Sequence, residues 1–540
     1  ADSAMLNGNI LGGSGTDSLI VADENTFVVT PPSDVEQFHL NYGTLEIDDH
    51  YDLTSNAFSG LVQTEINYLR QYTGLLRVSG DTILNGTLDV VASPYTYEDG
   101  DTFDVLEATN ITGLFETVML PDPTPLLAFD LNYLDDPDIV QVEVSAESFT
   151  TVATNPVEMA IARYLDEVAP SSSGDLSHMI GRIQLMDDPD FGSLSPDSYN
   201  SSTTATHDAS RQYVKTIQQR MRSLRSGLPL SYDMQAKSPT VLLAYNGPDE
   251  RIARLVQPEV RSRKPYGAWV QGFGQWGDQD SDTGFPGYDY SMGGVAAGFD
   301  YAFTENLLAG VSYDYTNSNV DLDDGVGEGD IEGHGISIYG MHFLDNAYLE
   351  GVLSYSTQDY DNDRLVVIDS EERVARSDHD GDAYSAFIEG GYDFHVNRWI
   401  IGPFASLEYI YLDEDSFQET GAGDLSLNVD DRQTDYLLSE LGLRVTRVFD
   451  LNGMSLIPEA GIAWSHDFDI DDRDITASFV GAPGASFTIE GQDIEDDGAT
   501  VEAGLTLLHS SGWSTSLKYN GDFRSDYEAH GVIGEFRIVF

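Results

Sequence analysis

The chain has 540 residues with 51 Gly, 20 Pro and no Cys, and 26 Lys+Arg against 92 Asp+Glu give a formal net charge of −66. That sign repels phosphates and excludes a nucleic-acid partner, and the lack of Cys removes disulfides, zinc–thiolate and iron–sulfur sites and thiol nucleophiles. A 41% hydrophobic and 11% aromatic content is too rich for a disordered polymer, and no apolar run reaches the roughly 18 residues of a transmembrane helix.

The start, Ala1-Asp2-Ser3-Ala4, lacks a basic-then-apolar leader, so a signal peptide already removed is expected. Residues 1–150 read as short strands between Gly/Asn/Asp turns, as in Thr44-Leu45-Glu46-Ile47. A loose theme, Gly then Thr-Leu-x-[Ile/Val], occurs at 43–47 and 86–90 and suggests stacked rungs of a parallel β-helix. Residues 11–19 match one copy of the calcium β-roll nonapeptide, with Asp17 as candidate ligand. Such sites need ligands from adjacent turns, so a plain glycine turn is the preferred reading. Inserted Thr16 breaks the resemblance of Gly15-Thr16-Asp17-Ser18-Leu19 to a lipolytic Gly-Asp-Ser-Leu block.

From 151 to 265 the pattern turns helical. Pro156 opens a run of helix formers through Leu165, 176–186 reads as a second short helix, and 205–225 is the clearest. Tyr213, Ile217, Met221 and Leu224 mark one face of that last helix, and Arg211, Lys215, Gln218, Arg222 and Arg225 another. Arg220 adds to its basic content. A solvated basic face is the ordinary explanation, but in a chain so poor in bases it points to a specific acidic partner surface.

From 266 to 540 the period is 2, in runs of about ten residues, enough to cross a bilayer as tilted strands. About twelve runs are expected, centred near 271, 297, 311, 338, 352, 388, 405, 442, 460, 504, 517 and 536. Tight turns at 304–305, 345–346, 397–398, 452–453 and 511–512 alternate with longer acidic loops at 278–289, 321–330, 359–382 and 413–435. Short periplasmic turns and long outer loops characterise transmembrane barrels. The expectation is an all-β chain: a 12-stranded antiparallel transmembrane β-barrel (266–540), an α-helical linker and plug (151–265, its 205–225 helix in or at the pore) and the C-terminal part of a parallel β-helix (1–150).

Four regions carry a family resemblance: Tyr266-Gly267-Ala268-Trp269-Val270-Gln271-Gly272-Phe273-Gly274, the final Phe536-Arg537-Ile538-Val539-Phe540, Thr96 through Leu106, and Asn155 through Val168 followed by the 205–225 helix. They resemble, respectively, the first barrel strand, the C-terminal assembly signal, the closing passenger rungs and the helical linker of autotransporters, the type V secretion family. The resemblance implies a barrel anchored in the bacterial outer membrane, a passenger at the cell surface and a helix left in the pore. It implies outer-membrane lipid, lipopolysaccharide, the barrel assembly machinery and the chain's own passenger as partners, with Phe536, Ile538 and Phe540 as the assembly signal. A passenger starting mid-pattern implies a longer precursor.

The strand faces opposite the lipid carry Asp300, Glu389, Glu408, Glu440, Glu459, Glu502 and Glu535 among other acids, with a recurrent Glu-x-Gly at 389, 440, 459 and 502. The Glu would charge the lumen and the Gly leave room beside it. Glu389, Glu408, Glu440, Glu459 and Glu502 are therefore the expected partners of Arg211, Lys215, Arg222 and Arg225. Asp378, Asp380, Asp382 and Glu389 have EF-hand spacing, but Ala383 replaces the required Gly. Loose calcium binding by the acidic loops is the better expectation, and no dedicated cofactor is expected. No H-E-x-x-H, G-x-S-x-G or Asn-Asn pair occurs, so neither an enzyme nor release by Asn cyclisation is expected. The alternatives left open are a capped diffusion porin, and a surface adhesin or structural surface protein using the same barrel as anchor.

Overall fold

The computed structural model describes most of residues 16–225 and 266–538 apart from short breaks, together with 4–5; 226–265 and 539–540 lie outside it. In the N-terminal region Gln37–Ile47, Leu61–Ile66, Gly74–Leu84, Thr87–Ala92 and Thr102–Gly113 pair in parallel. Alternate residues point inward, burying Phe38, Leu40, Leu45, Val62, Leu76 and Leu88 in one core. This is the stacked arrangement expected of a β-helix fragment, and both Thr-Leu themes lie within it. An antiparallel hairpin, Leu127–Asp135 with Asp138–Ala146, pairs against Thr102–Gly113.

Three helices follow. α1 (Pro156–Val168) starts at Asn155, whose side chain accepts the Glu158 backbone N–H, with Pro156 in the first turn. α2 spans Gly174–Gln184 and α3 Ser198–Arg225. α3 begins seven residues before the expected 205, in a Ser/Thr/Asn-rich turn of little helical propensity. Tertiary contacts hold it there: Ser202 donates to Asn362 at 2.7 Å and Thr203 to Glu414 at 3.0 Å.

The barrel strands are β1 (Tyr266–Gln279), β2 (Tyr288–Ala302), β3 (Leu307–Leu322), β4 (Gly327–Leu344), β5 (Ala347–Ile368), β6 (Glu371–Tyr392), β7 (Trp399–Glu414), β8 (Arg432–Arg447), β9 (Met454–Asp467), β10 (Asp497–His509), β11 (Trp513–Phe523) and β12 (Tyr527–Ile538). Each pairs antiparallel with the next, and β1 pairs with β12, closing the sheet and leaving no open edge. All twelve expected centres fall in separate strands. The outward face is apolar through mid-barrel, with Val270, Phe299, Val311, Ile338, Leu353, Leu441, Ile462 and Leu517 all exposed. Such a face suits lipid rather than water.

Two loop expectations are corrected. Residues 359–382 are largely strand: β5 and β6 pair continuously from Ala347/Tyr392 to Ile368/Glu371. Beyond the apolar band the outward face turns acidic and the inward face mixes Asn362 and Arg364 with Val366 and Ile368, so the hydrophobic alternation that marks a lipid-facing strand disappears while the ladder continues. Likewise the loop expected at 321–330 reduces to a short turn at 323–326, its ends being paired strand of β3 and β4. The β6 ladder also disposes of the EF-hand spacing, because Asp378 and Asp380 face outward and Glu389 is buried on the inner face.

The turns at 345–346 and 397–398 lie at the turn end of the barrel; 305, 452–453 and 511–512 lie outside the described residues. At the loop end, Phe417–Gln418, Leu427–Val429, Ile475–Phe479 and Phe487–Ile489 form a four-stranded sheet. α1 and α2 pack on it, burying Ile161, Leu165, Leu176, Ile180, Phe479 and Phe487 with Val366 and Ile368 of the long hairpin. Thus α1 and α2 belong to a cap over the barrel, and α3 continues from it into the lumen.

Candidate functional site

α3 is about 42 Å long at 1.5 Å per residue, enough to run the height of the barrel. Its first turns meet loop-end residues: Arg432 donates to Asn200 at 2.9 Å. Its last turns meet Glu502 of β10, with Arg222 at 2.8 Å. The apolar stripe lies against one wall, where Tyr213, Val214, Ile217 and Met221 pack on Trp269, Phe273, Met292, Leu308, Tyr339 and Met341 of β1–β4. The opposite wall, β6–β11, reaches the helix through charged side chains. An amphipathic helix therefore sits off-centre, dry on one side and ionic on the other.

On the ionic side Arg211 pairs with Asp522 (2.9 Å), Glu408 (3.4 Å) and Glu440 (3.8 Å). Lys215, one turn on, lies within electrostatic reach of Glu408 and Asp522. Arg222 pairs with Glu502 and, at 3.8 Å, with Glu389. The same two carboxylates hold Arg444 of β8, at 2.5 Å from Glu389 and 3.1 Å from Glu502. Glu459 pairs with Lys518 of β11. All five expected lumenal carboxylates thus face inward, but Glu459 is held by a wall base, and Glu389 and Glu502 are shared between helix and wall. Gly442, in one Glu-x-Gly pair, leaves room for the Phe404 ring, over which the Arg444 guanidinium stacks at 3.5 Å.

Several functional contacts escaped the sequence reading. Arg220 pairs with Asp300 on the dry side, both fully buried. Asp208 accepts hydrogen bonds from the hydroxyls of Tyr290 and Tyr527. Near the cap, Arg364 binds Glu419 at 2.7 Å and Arg432 binds Glu414 at 2.8 Å, two buried pairs around the first turn of α3. Arg220 carried a readable signal. It falls seven residues after Tyr213 on the apolar stripe, and a charge there needs a buried partner.

Other expected residues stand apart. Asp17 precedes a strand in the N-terminal region, with the preceding glycines outside the described residues. Phe536 is exposed on the outward face of β12, while the Ile538 and Arg225 side chains and all of Phe540 lie outside the described residues. Among the described residues no group of three His, Asp or Glu is placed to hold a metal ion. In the cap, hydrogen bonds from Arg373 hold the Asp175 carboxyl below its usual range, and burial pushes Asp197 up to about 6.

A family model described as "Autotransporter beta-domain" matches residues 268–520. An extracellular serine protease of Serratia marcescens is 22% identical over 80% of this chain and 42% of its own length. The esterase EstA of Pseudomonas aeruginosa is 25% identical over 47% of this chain and 41% of its own. The chain spans less than half the length of either relative. Among solved structures, the translocator domain of the autotransporter NalP from Neisseria meningitidis superposes with a TM-score of 0.44 at 14% identity, covering 64% of this chain and all of that one.

Proposed function

Because residues 268–520 match the autotransporter beta-domain model, we propose how this chain's own residues serve the family's task. The chain is an outer-membrane translocation unit that displays the segment preceding its barrel at the cell surface. The observation that carries this reading is a closed, lipid-faced barrel whose lumen holds α3, in line with a cap and a β-helical region at the loop end. The loop end faces the exterior and the turn end the periplasm. The relatives named for a serine protease and an esterase each match only part of their own length, so neither activity passes to this chain by likeness.

Two further partners belong to this reading. Outward-facing Phe536, with Ile538 and Phe540, supplies the alternating apolar strand end that the barrel assembly machinery would engage. Lipopolysaccharide would surround the upper band of the outward face. The acidic rim beyond that band is where loose calcium binding is expected.

An epitope inserted at exposed Asp122-Pro123 tests the reading. Protease added to intact cells should remove the epitope and leave a heat-modifiable membrane fragment containing β1–β12. An epitope that resists until the cells are broken overturns it.

A further inference from the structure

The two sides of α3 differ in how firmly they fix its position along the pore. On the ionic side, bases recur at 211, 215 and 222, and carboxylates recur on the facing strands at Glu408, Glu440, Asp522, Glu389 and Glu502. A helix that slid by one turn would bring Lys215 near the place of Arg211, while Arg444 of the wall would keep Glu389 and Glu502 paired. The ionic side therefore tolerates several registers.

The dry side does not. Arg220 Nε lies 3.1 Å from Asp300 Oδ2, and its Nη2 makes a second contact to the same oxygen. The Tyr339 hydroxyl donates to Asp300 Oδ1, and Trp269 Nε1 donates to the Tyr339 hydroxyl at 2.7 Å. The wall is shaped for this chain of groups. A Cβ on Gly298 would lie 2.4 Å from the Trp269 ring, and one on Gly310 would lie 2.3 Å from the Tyr339 ring. Arg220 Nη1 reaches 4.0 Å from Glu535, itself bound by Gln271 at 3.2 Å. The residues one turn either side of Arg220 are Thr216, Ile217, Ser223 and Leu224. None is basic, so every one-turn shift leaves Asp300 buried without a cation, a penalised state.

We infer that Arg220 and Asp300 are the register pin of the lumenal helix: they set where α3 stops in the pore, while Arg211, Lys215 and Arg222 hold it there without choosing the position. Both are positioning residues, and the inference rests on the reading of α3 as the retained pore helix. Buried polar pairs have this role in coiled coils, where they select one register among several of similar burial.

The absence of cysteine from the chain permits a direct test by bridging paired cysteines with a short bis-methanethiosulfonate reagent in the full-length protein folded in detergent. Gln219 donates to Ser516 at 2.8 Å through its full side-chain length, a span for this short reagent rather than a direct disulfide, so Gln219→Cys with Ser516→Cys reports the observed register. Ser223→Cys with Ser516→Cys reports a one-turn slip. With Arg220 and Asp300 intact, the first pair should form over the second by about tenfold or more. Arg220→Gln, which leaves the wall untouched, should bring the two yields within about twofold. Arg222→Gln should keep the original preference. The exchange Arg220→Asp with Asp300→Arg should restore it. An unchanged preference in Arg220→Gln overturns the pin, as does its loss in Arg222→Gln alone. Failure of both bridges in the parent would instead remove α3 from the lumen and overturn the reading on which the inference rests.

Discussion

Replacing Arg211 by Gln should destabilise the folded chain more than the same replacement of Arg222, although both are lumenal arginines on the same helix face. Arg211 pairs with Asp522 at 2.9 Å and Glu408 at 3.4 Å, and each pair has a Coulomb energy of about 5 kcal/mol at an effective dielectric near 20. Most of that is offset by desolvation, so the observable cost is that of stranding the carboxylates. Asp522 keeps Arg524 at 3.7 Å, whereas Glu440 loses Arg211 and Glu408 keeps only the more distant Lys215. A net loss of about 4 kcal/mol follows. Arg222 is different, because Arg444 stays bound to both of its carboxylates. Its loss should cost about 2 kcal/mol, one charge-assisted hydrogen bond. Guanidinium unfolding in micelles, followed by tryptophan fluorescence, measures both, since Trp269 packs against the helix. The gap should persist at raised salt, which screens buried pairs weakly. Equal shifts for the two variants, or a larger one for Arg222→Gln, would refute the reasoning.

Three more outcomes follow from the geometry. Gly442→Val places a Cβ 2.5 Å from the Phe404 ring and should displace it from under Arg444; the heat-modifiable fraction on gels should fall, by overpacking of about 1–3 kcal/mol. Asp197, raised to about 6 by burial, binds more protons folded than unfolded between its ordinary pKa of about 4 and 6. Its contribution to stability therefore declines as pH rises through that window, and Asp197→Asn should flatten the slope in pH-dependent melting. Finally, the outward rim sets Asp330, Asp361 and Asp378 opposite one another, and beside them Glu332, Asp359 and Asp380. Like charges so placed repel, so raising salt from about 0.05 to about 0.5 M should raise the thermal midpoint, and Asp359→Asn with Asp361→Asn should weaken that response.

The barrel was legible because its strands are wet on one side and lipid-faced on the other, so alternation ran unbroken through runs such as 307–315. Where that asymmetry ends, the signal ends: the upper β5–β6 hairpin, acidic outward and mixed inward, reads as loop although its ladder continues to Ile368 and Glu371. The cap sheet left no trace, since its strands are two to five residues long and pair across the chain. Arg211 and Arg222 could be placed on an ionic face by helical spacing, but which acids each would share required the wall. Spacing could not show that Arg444 and Lys518 already neutralise part of that wall. Arg220 was hidden by being counted with the other bases rather than by its position on the apolar stripe.

Single-channel recording in planar bilayers tests most directly whether α3 fills the pore of a membrane barrel. The intact chain should remain closed apart from brief, small openings, while a chain lacking residues 198–225 should insert as a stable open channel of stepwise conductance. Equal conductance from the two chains would contradict the account.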